Sequence, residues 1–273
     1  MDYSNDYSNW EKFWQSHDAG NEPKTFIDNW SNLSWQVGLE FWREVFDRKA
    51  HGKTILECGA GEGRTSLYLA GFGYQPTLID NSQASLDLAQ KHFSNHGLSA
   101  KYSLADVQSM PFPDNHFDVI YSGGLLHHFD QPLIPLTEMY RVLKPGGILA
   151  ATIIPRKFSC QTIGDGQRFI ANVCYKTFKG EFKHLIKNSR KNWPFYVNRL
   201  SLKEYIDLWQ DLHLTVEFAG GFCPFPSFAL PPTWQRQYTK FLKNHLENWK
   251  QFNLSQTRWA ELWGVGYNIY GRK

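Results

Sequence analysis

An α/β fold with a doubly wound, mostly parallel sheet is the class this sequence predicts, and three observations predict it. Short apolar runs recur along the chain: ILE at 55–57, TLID ending at Asp80, YSLAD ending at Asp106, FDVIYSGG ending at Gly124, and ILAATII at 148–154. Spacers of helix length separate them, and strands that alternate with such spacers form parallel sheets through crossover helices. The first run leads into ILECGAGEG (55–63), where three glycines stand on alternate positions behind an acid. Glycine there lets the backbone turn sharply and press against a ligand where a Cβ would collide. In such sheets ligands bind outside the carboxyl ends of the strands, which is where Glu57, Asp80 and Asp106 fall.

The elements follow in order. Trp10, Phe13 and Trp14 fit one helical face, and Trp35, Val37, Leu39, Phe41, Trp42, Val45 and Phe46 belong to a second helical stretch. The bend after the first strand reads G-x-G-x-G. A dinucleotide fingerprint needs its third glycine where Arg64 stands, so that reading is set aside. PLIPLTEMYRVLKPGG (132–147) is helix-like. Residues 156–200 are rich in lysine and arginine against only Asp165 and Glu181, with Phe169, Ile170, Val173, Cys174, Phe178, Phe182, Leu185 and Ile186 at helical spacing. This predicts an inserted amphipathic helical segment. Its cations Lys176, Lys179, Lys183, Lys187, Arg190 and Lys191 line either a solvated face or a mouth for an acidic acceptor. SLKEYIDLWQDL (201–212) is a helix opening on Ser201 with Glu204 three residues on. LTVEFAGG (214–221) and GVGYNIYGR (264–272) are strands. Between them come the proline-rich loop 223–232 and a helical stretch carrying Trp234, Tyr238, Phe241, Leu242, Leu246 and Trp249.

Composition narrows the class. A chain of 273 residues with 42% hydrophobic residues buries a large core, and a net charge of +3 is too small to imply nucleic acid. Cys58, Cys160, Cys174 and Cys223 lack C-x-x-C spacing, so neither zinc nor a disulfide framework is expected. The polar start MDYSNDYSNWEKFW does not read as a signal peptide, and no apolar stretch is long enough to span a bilayer. A soluble, reducing, cytoplasmic setting is the expectation.

Five motifs in sequence then carry a resemblance: ILECGAGEG (55–63), TLIDNS (77–82), ADVQSMPFPDNHFDVIYS (105–122), LLHHF (125–129) and RVLKPGGIL (141–149). Together they resemble the core of class I S-adenosylmethionine-dependent methyltransferases, in the small-molecule, type 11 branch that includes quinone-biosynthesis enzymes. The resemblance implies seven strands with an antiparallel last one, plus helical cap insertions. It divides the chain into a helical lid (1–50), a Rossmann-like cofactor core (51–155), and a second half of the sheet bearing an aromatic-rich substrate cap (156–273). S-adenosylmethionine is the implied cofactor. Asp80, with Asn81 beside it, has the chemistry to accept hydrogen bonds from the ribose diol, and a helix cap is the competing role. The family pattern further assigns Asp106 and Val107 to the adenine, Glu57 to the ammonium, Gly59, Ala60 and Gly61 to the methionine portion, and Ser122 and Gly123 to a carbonyl contact with the same ammonium.

His127 and His128 follow the fourth strand, where methyl group and acceptor should meet. A hydroxyl acceptor must lose a proton, which a histidine titrating near neutrality can take. A structural role for one of them is the alternative. No metal site is assigned. The expected activity is methylation of a small, partly apolar molecule at oxygen, with nitrogen or carbon as alternative acceptor atoms. A cofactor-binding partner or regulatory subunit without turnover is a reading of another class. A nucleic-acid or protein substrate lacks support, because SGGL stands where an N-P-P-Y tetrad is expected. No stable membrane insertion is expected.

Overall fold

The computed structural model describes residues 6–16, 30–178 and 195–273. Two helices, α1 (Asp6–Gln15) and α2 (Trp30–Lys49), precede the first strand, β1 (Thr54–Cys58). Then α3 (Arg64–Ala70), β2 (Gln75–Asp80), α4 (Gln83–Asn95), β3 (Lys101–Leu104), β4 (Phe117–Gly123), α5 (Leu133–Val142) and β5 (Leu143–Ile153) alternate, with a 3-10 turn at Leu126–His128. The last part holds α6 (Cys160–Phe178), α7 (Leu202–Asp211), β6 (Thr215–Phe222), α8 (Pro232–Asn244), α9 (Leu246–Asn253), α10 (Arg258–Trp263) and β7 (Gly266–Arg272).

The seven strands form one sheet in the order β3-β2-β1-β4-β5-β7-β6. Strands β1 to β5 pair in parallel, and β7 runs antiparallel to both β5 and β6. From β1 the chain winds outward to β2 and β3, then returns to β4 on the other side. This reversal opens a crevice above the carboxyl ends of β1 and β4, the position where such sheets take ligands.

Side-chain alternation distributes the core over both faces of the sheet. Ile55, Val119 and Ile148 pack with Trp42 and Phe46 of α2. Their neighbours Leu56, Ile120 and Leu149 pack on the opposite face with Met139 of α5 and Tyr205 and Trp209 of α7. Ile269 of β7 belongs to that second cluster, so early and late strands share one core. A buried polar chain crosses the sheet as well. Trp42 Nε1 donates to Thr152 Oγ1 at 2.9 Å, and that hydroxyl donates to Asn268 Oδ1 at 2.9 Å.

Two elements depart from the sequence reading. The helix expected over 132–147 ends at Val142, and Leu143 already pairs with Phe117. Pro145 cannot continue a helix, and Gly146 sits at φ +77, so Lys144 to Gly147 bulge before the ladder resumes at Val119 and Ile148. Strand β3 stops at Leu104, which leaves Asp106 two residues beyond its tip. Helix α6 realises the first part of the amphipathic insertion, yet Phe169 and Ile170 stand 58% and 62% exposed. Phe182, Leu185, Ile186 and the cations from Lys179 to Lys191 lie outside the described residues.

The start of α7 is built as its sequence requires. Ser201 Oγ accepts from Glu204 N at 3.3 Å, and Glu204 Oε2 accepts from Ser201 N at 2.7 Å, a reciprocal capping box. Replacing Ser201 with alanine leaves the first turn of α7 short of one acceptor. It should cost about 1 kcal/mol of stability in urea unfolding.

Candidate active site

A cavity of about 500 Å³ opens at the carboxyl edge of the sheet. Gly59 borders it after β1, Asp80 and Asn81 after β2, Ala105 to Gln108 after β3, and Gly123 to Leu125 after β4. His128 to Gln131 and Ile134 close the far side, and Trp10 and Trp14 of α1 form the roof. The volume lies in the range of small-ligand sites.

The glycine bend is held in left-handed conformations, with φ of +65 at Gly59, +52 at Gly61 and +70 at Gly63. A Cβ on Gly59 would stand 2.8 Å from Leu125 Cδ1, and one on Gly61 would stand 2.6 Å from Trp14 Cζ2. Asp80 fastens this bend to β2. Its Oδ2 accepts from Gly61 N and its Oδ1 from Ser82 N, both at 2.9 Å. The cap of α4 is Ser82, whose Oγ accepts from Ser85 N at 3.2 Å. Asp80 is therefore free of the capping task and turns its carboxylate toward loop and cavity. Burial raises its pKa despite the two N–H donors.

Of the predicted cofactor residues, Gly59, Asp80, Asn81, Asp106, Val107 and Gly123 line the cavity. Glu57, Ala60, Gly61 and Ser122 do not. Glu57 is buried, and its Oε2 accepts from Ser66 N at 2.9 Å in the first turn of α3. Asp106 Oδ1 accepts from Gln108 N at 2.8 Å, a local turn that fixes its carboxylate at the rim. The buried Ser122 hydroxyl has no hydrogen-bond partner among the described residues.

The two histidines separate sharply. His127 is 5% exposed and outside the cavity lining, and its Nδ1 accepts from Ile154 N at 3.2 Å. Burial, with His128 alongside, pushes its pKa down to about 3. Its only basic lone pair is spent on the backbone, which corrects the expectation that His127 serves as a catalytic base. His128 lines the cavity, and its Nδ1 lies 2.6 Å from the Tyr196 carbonyl oxygen. A carbonyl only accepts, so Nδ1 carries a proton. Adjacent rings, 4.2 Å apart at their centroids, thus use Nδ1 in opposite ways, His127 accepting and His128 donating.

The sequence reading missed the segment after residue 194. Phe195 stacks on Trp10 at 3.8 Å, and Tyr196 Oη donates to Asp130 Oδ1 at 3.0 Å. It also missed Glu11, whose Oε2 accepts from Ser82 Oγ at 2.6 Å and holds α1 over the N-terminus of α4. No local pattern marks these residues, because each acts only through a distant partner.

Comparison with known proteins finds likenesses for part of this scaffold. A family model of the methyltransferase type 11 group, described as a methyltransferase domain, matches residues 56–151. This segment is similar to methyltransferase domains. Over 114 residues the chain is 34% identical to the uncharacterized methyltransferase YodH of Bacillus subtilis, covering 41% of this chain and 48% of that protein. The ubiquinone/menaquinone biosynthesis C-methyltransferase UbiE of Neisseria meningitidis is 33% identical over 114 residues, covering 40% and 46%. The chain thus spans about half the length of these curated relatives. The fold extends further: the crystal structure of the [4+2]-cyclase SpnF superposes on 97% of this chain and 93% of its own, with TM-score 0.56 and 18% identity. No helix among the described residues is long and apolar enough to cross a membrane.

Within the matched segment, burial raises the pKa of Glu57 from 4.5 to about 7. The folded protein then holds a proton that the unfolded chain releases, so stability falls as pH rises from about 4.5 through 7. Glu57→Gln removes that part of the slope. Urea midpoints should place the variant near wild type at pH 5 and above it at pH 8.

Proposed function

We propose that the chain is an S-adenosylmethionine-dependent methyltransferase acting on a small, partly apolar acceptor. The observation that carries this reading is the Asp80 carboxylate, buried at the cavity edge and locked to a glycine bend that admits no side chains. An acid with remaining lone pairs on both oxygens suits a ribose diol. Val107 and the carboxylate of Asp106, both lining the cavity, suit adenine, and the backbone at Gly59 and Gly123 suits the amino-acid portion. Glu57, Ala60, Gly61 and Ser122 support these contacts from outside the lining: Gly61 through its N–H to Asp80, and Glu57 through the start of α3. The chemistry such a donor supplies when bound is a methyl group on positively charged sulfur. Trp10 and Trp14 offer aromatic faces suited to a cation at the roof.

His128 is the proposed general base. Its Nε2 would take the proton of an acceptor hydroxyl and leave that oxygen nucleophilic; the bound donor would supply the methyl group, its sulfur–carbon bond breaking to release a neutral thioether. A phenolic acceptor deprotonated in the same way becomes nucleophilic at ring carbon, so one base serves either outcome. Oxygen is the acceptor atom we favour. Carbon is the second reading, and the printed name of UbiE as a C-methyltransferase supports it. The likeness to a [4+2]-cyclase is a reminder that this fold houses other chemistry, so methyl transfer must be measured. A mass-spectrometric screen of cell metabolites, seeking a gain of one methyl that requires both protein and S-adenosylmethionine, tests the activity directly.

Two variants probe the assignments. Asp80→Ala should weaken S-adenosylmethionine binding by about 10- to 100-fold in equilibrium dialysis, the loss expected for hydrogen bonds to a charged group. His128→Ala should lower turnover on an identified hydroxyl acceptor by about 10²- to 10⁴-fold. Donor affinity should change little, which separates chemistry from binding.

A further inference from the structure

Residues 195–200 cross the 3-10 turn that bears the histidines, and Asn198 is where the two are fastened. Asn198 is 4% exposed, and every polar group it owns is engaged. Its Nδ2 donates to Phe129 O at 3.1 Å and, more weakly, to Leu126 O at 3.4 Å. Its backbone N donates to His127 O at 2.8 Å, and its backbone carbonyl accepts from Arg156 N at 2.9 Å. On the side away from the turn, its amide lies 2.9–3.1 Å from the Tyr205 hydroxyl of α7, and its Oδ1 accepts from Leu200 N at 3.3 Å. Three carbonyls of one short turn, those of Leu126, His127 and Phe129, therefore converge on a single residue.

Two positions upstream, the Tyr196 carbonyl accepts the His128 Nδ1 proton. Neutral histidine in water prefers its proton on Nε2, so this bond holds a neutral His128 in the less common tautomer. That imposition works only if the Tyr196 carbonyl and the turn hold a fixed relation. Asn198 supplies hydrogen bonds that hold it, beside the bond from the Tyr196 hydroxyl to Asp130.

We propose that Asn198 is a positioning residue for His128: by tying residues 195–200 to the turn 126–129, it sets the Tyr196 carbonyl that keeps His128 in the Nδ1–H tautomer. Its catalytic purpose rests on the reading of His128 as the base. The placement itself is independent of turnover. The cap thus contributes to the chemistry of a domain whose family match ends at residue 151. Among the described residues, His127 lies beside the His128 ring, and the Tyr196 hydroxyl donates to Asp130 just beyond the turn.

The test is nitrogen NMR on the full-length protein labelled with ¹⁵N-histidine, with His128→Gln identifying the His128 signals. Wild type should give the pattern of a protonated Nδ1 and an unprotonated Nε2. In Asn198→Ala the pattern should move toward a mixture with protonated Nε2, while near-ultraviolet circular dichroism confirms folding. A folded Asn198→Ala protein that keeps the wild-type pattern overturns the proposal. Should that variant fail to fold, Tyr205→Phe, which removes only the hydroxyl beside the Asn198 amide, takes its place. A partial move supports the proposal there, and an unchanged pattern overturns it. If instead the pattern moves while His128→Ala leaves methyl transfer intact, the positioning stands and the base assignment falls.

Discussion

The hydrogen bond from Gly61 N to the Asp80 carboxylate is the constraint on which the site depends. It joins the tip of β2 to the bend after β1, and so fixes the floor of the crevice at the point where the sheet order reverses. The bend is otherwise soft. Glycine has the largest backbone entropy to lose, and three left-handed glycines in five residues need an external tie. A buried carboxylate accepting one N–H from each side supplies that tie and presents its remaining acceptor capacity to the cavity. Ser82 makes this arrangement workable, because it takes the cap of α4 that an acid at a strand-to-helix turn would ordinarily occupy.

The roof depends on a second electrostatic tie of the same kind. Glu11 accepts from the Ser82 hydroxyl, and that contact holds its carboxyl below the usual pKa. One serine therefore links α1, α4 and, through its backbone N–H, Asp80. Trp14 settles over Gly61, and Trp10 stacks on Phe195 beside His128. Roof, floor and His128 are connected through a handful of named contacts.

Much of the fold was legible in the sequence because it is written locally. The seven strands, the Ser201–Glu204 capping box and the glycine bend each follow from spacing within a few residues. The error at Lys144 to Gly147 came from extending a helical periodicity across Pro145, where the competing demand of the β4 ladder prevails. The site was half legible. Residues at the strand tips such as Gly59, Asp80 and Gly123 are placed by the sheet itself, so topology alone brings them together. The histidines were not distinguishable, because their tautomers are set by Ile154 N, 27 residues away, and by Tyr196 O, 68 residues away. Asn198 escaped for the same reason, since a lone asparagine between a basic segment and a helix has no pattern to announce it.

The account makes S-adenosylmethionine the molecule that the crevice is shaped to hold. Titration of the purified, folded protein with S-adenosylmethionine and with its demethylated product in a calorimeter tests that claim most directly. The account predicts saturable heat for both at one site per chain. Absence of binding by either molecule, in protein whose circular dichroism is native, would contradict it.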